Sequence, residues 1–92
     1  MMTDSKFKNK KVVVNGVEYI IQKLPLLEGL KVKKTWLNKD LPDGIDDIKM
    51  YEACLKTFVI SPKKEINDFD NLEELSEVCA ECIEFQFMGK SN

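Results

Sequence analysis

Residues 70–88, DNLEELSEVCAECIEFQFM, constrain the chain more than any other stretch. At about 100° per residue, Leu72, Leu75, Val78, Cys79, Cys82 and Ile83 share one broad face. Glu73, Glu77, Glu81 and Glu84 form a column on the opposite side. A helix divided in this way must lay its apolar wall on a core, because propensity alone does not hold it. Asp70 is the expected N-cap, with Glu73 three residues on as in a capping box. Glu74 adds negative charge near the positive end of the helix dipole. Gly89 and Lys90 supply a stop, a residue free to take positive φ followed by a cation near the last carbonyls. The glutamate column reads either as a solvated face or as a docking face for a basic partner. Phe85 and Phe87 flank the apolar wall, which makes them rim packing or a contact surface.

The apolar wall needs a partner layer, and residues 11–24 offer one. Val12-Val13-Val14 and Val17 to Ile21 are rich in β-branched and aromatic residues, and Asn15-Gly16 separates them. Asn-Gly predicts a two-residue hairpin, because a type I′ turn needs positive φ at both central positions. That loop sets the register: Val14 opposes Val17, Val12 opposes Tyr19, and Lys10 opposes Ile21. Val12, Val14, Val17, Tyr19 and Ile21 then share one face, while Lys11, Val13, Glu18 and Ile20 share the other. A lone ribbon is marginal in water, so helices or another strand must cover it. Both of its edges are expected to be open for pairing with another chain.

Two further helices are expected between the hairpin and the acidic segment. Pro25 suits a first helical turn, and Leu26, Leu27, Leu30 and Leu37 follow as an apolar stripe. Gly29 either permits close packing or shortens this helix. Val32 and Trp36 fall off the leucine stripe; Trp36 can pack on the hairpin or serve as an exposed anchor for a partner. Leu41-Pro42-Asp43-Gly44 is a turn by composition. A second helix is expected from about Asp46 to Val59, with Ile48, Tyr51, Leu55, Phe58 and Val59 inward, ended by Ser61-Pro62. Lys63 to Phe69 then forms a loop pinned by Ile66 and Phe69. The fold class is therefore α+β, a two-stranded N-terminal hairpin followed by about three helices. Residues 11–89 are expected to make one compact domain, between a flexible tail at 1–10 and a short tail at 90–92.

Composition narrows the function. The 92 residues contain no histidine, and all 14 basic residues are lysine. The usual general base near neutral pH is missing, and so is the bidentate clamp of arginine. Residues 1–64 hold thirteen lysines against eight acids, a net of +5, whereas residues 65–89 hold eight acids and no lysine. The opposed halves can attract within one fold or between copies, so a homo-oligomer is one expectation. A nucleic-acid binder needs a stronger basic excess. No apolar run reaches the roughly 20 residues of a membrane span, and the basic N-terminus lacks the apolar core of a signal peptide. A cytoplasmic protein is expected, with neither nucleic acid nor membrane as a partner.

Cys79-Ala80-Glu81-Cys82 is a C-x-x-C on a helix. Structural metal sites commonly need four ligands, and only Cys54 remains to join the pair. A redox pair needs an exposed thiol at a helix N-terminus, whereas these lie mid-helix on the apolar face. Buried, unreactive cysteines are expected, and no metal, cofactor or catalytic site. No phosphate loop, nucleophile elbow or calcium loop is present, so the chain reads as a protein-interaction domain and not an enzyme.

An ordered set of short motifs extends this reading. It runs Asn15-Gly16-Val17-Glu18-Tyr19, Gln22-Lys23-Leu24-Pro25, Trp36, Asp46-Asp47-Ile48-Lys49-Met50-Tyr51-Glu52, then Pro62-Lys63. Asp68-Phe69-Asp70, Leu72-Glu73-Glu74-Leu75 and Glu84-Phe85-Gln86 complete it. The set resembles the small tail assembly chaperones of long-tailed bacteriophages and phage-like prophage elements of Gram-positive hosts. That resemblance implies a cytoplasmic assembly factor of the bacterial host, absent from the finished virion. Its implied partners are the tape measure protein, which it keeps soluble, and tail tube subunits, which it helps to recruit. It also implies a second product made by frameshifting, with which the codons for Gly89-Lys90 are compatible. A chaperone for apolar helices needs accessible apolar surface rimmed by charge. The candidate contact residues are Trp36, Phe85, Phe87 and Met88, with Glu77, Glu81 and Glu84 as the rim. The alternative is a small regulatory or antitoxin-like module that pairs through the hairpin edge.

Overall fold

The computed structural model describes residues 8–88. Strands β1 (Lys8–Val14) and β2 (Val17–Lys23) form the antiparallel hairpin. Its register is the one Asn-Gly predicts, with Val14 opposite Val17, Val12 opposite Tyr19 and Lys10 opposite Ile21. The cause is local: Asn15 and Gly16 both take positive φ, 53° and 79°, as a type I′ turn requires. Val12, Val14, Tyr19 and Ile21 are buried on the inner face, and Val13 and Glu18 are exposed on the outer one. β1 begins at Lys8, so Lys8 to Lys10 belong to the strand and not to a tail. The other expected tail residues, 1–7 and 90–92, and the stop at Gly89-Lys90 lie outside the described residues.

The sheet holds a third strand that the periodicity did not signal. β3 (Val59–Ser61) pairs antiparallel with β2, in the order β1-β2-β3. These residues were expected to end the second helix. Val59 and Ile60 are β-branched and stiff, and an unpaired strand edge lies beside them. Of the two hairpin edges expected to be open, β2's is therefore covered. Among the described residues the unpaired edges are β1's outer edge and the far edge of the short β3; β1's carries Lys8, Lys10 and Lys11, charged residues that discourage edge-to-edge association.

Three helices complete the α+β domain: α1 (Leu26–Lys34), α2 (Asp47–Ala53) and α3 (Leu72–Ile83). Asp46 caps α2, its side chain accepting from the Lys49 N–H at 3.2 Å. α2 passes into a π-helical turn, Cys54–Phe58, closed by the Val59 N–H donating to the Cys54 carbonyl. The wider turn places Cys54, Leu55, Phe58 and Val59 all in the core. Ile48, expected inward, is exposed. Lys63 donates to the carbonyls of Lys56 and Val59, at 3.0 and 2.7 Å, and so serves acceptors that the helix end leaves open. Ile66 and Phe69 pack partly buried against the core, as expected.

α3 is capped by Asn71 and not Asp70: the Asn71 side chain accepts from the Glu74 N–H at 2.9 Å. Both residue types cap well. What separates them is Glu74, whose carboxylate accepts from the Tyr19 hydroxyl at 3.3 Å and from Asn15 Nδ2 at 3.2 Å. Tyr19 in turn accepts from Lys64 Nζ at 3.1 Å. The helix start is thus tied to the hairpin. Leu75, Val78, Cys79 and Cys82 are buried as the apolar wall predicts, but Leu72 is exposed. α3 and the Cys54–Phe58 turn lie against the sheet's strands and close the core. Among the described residues no helix is long and apolar enough to cross a membrane.

Candidate docking surface

α1 presents its leucines to solvent. Leu26 and Leu27 are each 62% exposed and Leu30 is 46% exposed. The leucine stripe is therefore the outer face. The inner face is the set that fell off the stripe: Gly29 is buried, Val32 half-buried, and Trp36 in the following turn 2% exposed. Spaced at i, i+3 and i+7, these three make a legitimate helical stripe. It is legible in the sequence once Gly29 is read as a contact point and not a weakness.

The reason lies in Gln86. After α3 the chain continues as a second π-helical turn, Glu84–Met88. Gln86 is buried there at the position an extended Leu75–Cys79–Cys82 stripe reaches next. Its carboxamide accepts from the Leu24 N–H at 2.7 Å and donates to the Leu24 carbonyl at 3.0 Å. The bridge copies a strand pair and pins the segment from which α1 starts. Gly29 packs directly on the same carboxamide; a Cβ there would overlap Nε2 and lie 2.8 Å from Cδ. The helix approaches on its glycine side, and the leucines are left outside.

The residues proposed from sequence divide accordingly. Trp36 and Phe85 are each 2% exposed and are core residues, so neither is available as a contact in this fold. Trp36 is inward because it follows Gly29 and Val32 on the packed side of α1. Phe85 is covered in part by β1, with Lys10 Nζ 5.8 Å from its ring centroid. Phe87 is half-buried, edge-on to Phe58 with centroids 6.4 Å apart, and Lys33 Nζ sits 5.5 Å from its centroid. Met88 is 65% exposed. Glu77 and Glu84 are exposed, while Glu81 is half-buried and pairs with Lys10 at 3.9 Å. A run of exposed leucines lies instead on α1, among Lys31, Lys33 and Lys34 in its last turn.

A groove of about 880 Å³ opens beside Leu55 and Ile66, lined by Lys56, Lys63, Lys64 and Glu52 among others. Two of its lysines are committed: Lys63 to backbone carbonyls, and Lys64 to Tyr19 and to the faces of Tyr19 and Phe69. The Tyr19 hydroxyl beside it holds the Lys64 ammonium above the ordinary lysine value.

Cys54, Cys79 and Cys82 are buried together. Among the described residues no group of three or more acidic or cysteine side chains is placed to hold a metal. The Cys54 thiol is held far above its ordinary value, first by its hydrogen bond with Cys79 and then by burial. Burial raises Cys82 as well. The unfolded chain ionises Cys54 and Cys82 above about pH 8.5, while the fold keeps these two protonated. Stability contributed by this difference is intact below that value and falls as pH rises through it, by about 1.4 kcal/mol per pH unit for each thiol. Urea midpoints at pH 7, 8, 9 and 10 should decline less steeply in Cys82→Ala than in the wild type. Parallel declines would show that Cys82 ionises as easily folded as unfolded.

Compared with protein-family models, with curated proteins and with solved structures, the chain matches none.

Proposed function

We propose that this protein is an assembly chaperone that shields an apolar helix of a larger partner, in the manner of the small phage tail assembly chaperones its sequence resembles. In that reading the partner is the tape measure protein, with tail tube subunits recruited later. The protein would act in the host cytoplasm and stay out of the finished virion. The observation that carries the reading is the outward leucine face of α1, Leu26, Leu27 and Leu30, on a helix held from behind by Gln86. Contiguous exposed leucines on one helix face are the kind of surface that takes an amphipathic helix, through anchors at i, i+3 and i+4.

Co-expression with a tape measure protein encoded beside this gene tests this. The wild type should bring that product into the soluble fraction as a complex. Leu27→Glu/Leu30→Glu, altered only at exposed positions, should keep its circular dichroism and melting temperature yet lose the rescue. A wild type that gives neither complex nor rescue removes the proposal. The second reading, pairing through the hairpin, is favoured by β1's open edge. In an antiparallel ladder the Val13 N–H points away from β2. If Val13→Pro abolishes complex formation and the leucine variant does not, the edge is the interface.

A further inference from the structure

The leucine face carries more than exposure. Wound at about 100° per residue, Leu26, Leu30 and Leu27 span one arc of α1. Lys33 falls just outside one border of that arc, Lys31 just outside the other, and Lys34 lies within it one turn further on. The buried side, Gly29 and Val32, is opposite. The ion pairs among the described residues are Lys10–Glu81 and Lys11–Glu18, so the three lysines around the leucines have no carboxylate partner among those residues. Lys33 rests on the Phe87 ring, which positions its ammonium at the border without neutralising it. The helix dipole accounts for some cationic preference in a last turn. It does not account for cations on both borders of an exposed apolar stripe.

We infer that the Leu26/Leu27/Leu30 face selects an amphipathic helix whose apolar stripe is flanked by glutamates or aspartates. This rests on the docking reading above and reverses the charge of the partner that the α3 glutamate column suggests. Leucines supply the burial; the lysines set orientation and discriminate against basic helices, since like charges brought together at a rim repel. Such rim pairs are individually weak and screened by salt.

Two fluorescent synthetic helices distinguish the outcomes. They share one leucine stripe, and one has glutamates at every flanking position where the other has lysines. Anisotropy titration of the full chain should give about tenfold tighter binding of the glutamate peptide at low ionic strength, three weak pairs acting together. The preference should shrink as ionic strength rises from about 0.05 M to about 0.5 M. In Lys31→Glu/Lys34→Glu, both exposed positions, the preference should reverse while the melting curve stays put. Equal binding of the two peptides, or a preference untouched by the lysine substitutions, overturns the charge selection and leaves leucine docking intact. Binding of neither peptide overturns the docking reading as well. If ultracentrifugation instead finds concentration-dependent self-association that Lys31→Glu/Lys34→Glu abolishes, the face belongs to a second copy and the inference falls.

Discussion

Phe58→Ala should lower the melting point of the protein further than Leu72→Ala, Gly29→Ala or Gln86→Leu. Phe58 is fully enclosed at the end of the Cys54–Phe58 turn, edge-on to Phe87. Removing a buried phenylalanine costs about 3–5 kcal/mol, the lost transfer energy plus the cavity left behind. A small domain holds about 5–10 kcal/mol in total. For a chain of this length the loss corresponds to a melting point lower by about 15–30 °C. Leu72→Ala, at an exposed position, should move it hardly at all, within about 0.5 kcal/mol. Calorimetry on the two variants checks both. A Phe58→Ala protein that melts within a few degrees of the wild type would mean that the ring is not enclosed as described.

The second large effect belongs to the Gln86 bridge. Gln86→Leu keeps the volume but strips partners from the Leu24 N–H and carbonyl, which lie partly buried 62 residues away in sequence. Leaving one such group unsatisfied costs about 1–3 kcal/mol, so a loss of about 2–4 kcal/mol is expected. Gly29→Ala supplies the sharper reading. In an ordinary helix interior that change stabilises by about 1 kcal/mol. Here the new methyl meets a carboxamide that cannot withdraw without breaking both bonds, so a destabilisation of about 1–3 kcal/mol is expected. In a Gln86→Ala background the obstacle is gone and the sign should return to favourable. The coupling in this double-mutant cycle isolates the clamp. Additive changes, or a stabilising Gly29→Ala on its own, would show that α1 is not seated on Gln86. Hydrogen exchange in α1 should accelerate in Gln86→Leu before exchange in α3 does.

How far the sequence discloses this molecule depends on whether the determining contact is local. The hairpin register follows from Asn15-Gly16 alone, since two adjacent residues set the turn and the period of two does the rest. The buried wall of α3 is legible for the same reason, being a pattern within a single element. α1 is not. Its leucines outweigh Gly29 and Val32 in any count of apolar residues, and periodicity finds a stripe without saying what stands opposite it. The deciding contact, Gln86 on Gly29, joins distant segments through a glutamine that lies outside the apolar wall read for α3. β3 was hidden likewise: Val59 and Ile60 continue a helical apolar pattern until the vacant edge of β2 claims them. Of the candidate contact residues, Met88 is the aromatic or apolar one left well exposed, because it lies past the last buried turn. Phe85 entered the core through neighbours that no local pattern names, and Trp36 through the Gly29–Val32 spacing that the more numerous leucines outweigh.

The placement of α3 has a consequence for biosynthesis. It is translated after the three strands and the other two helices, yet it roofs the hairpin, and Glu74 on it collects Tyr19 and Asn15 from that hairpin. A nascent chain therefore carries Val12, Val14, Tyr19 and Ile21 only partly covered until α3 has left the ribosome. The domain must then close in one cooperative step, not by accretion from its N-terminus.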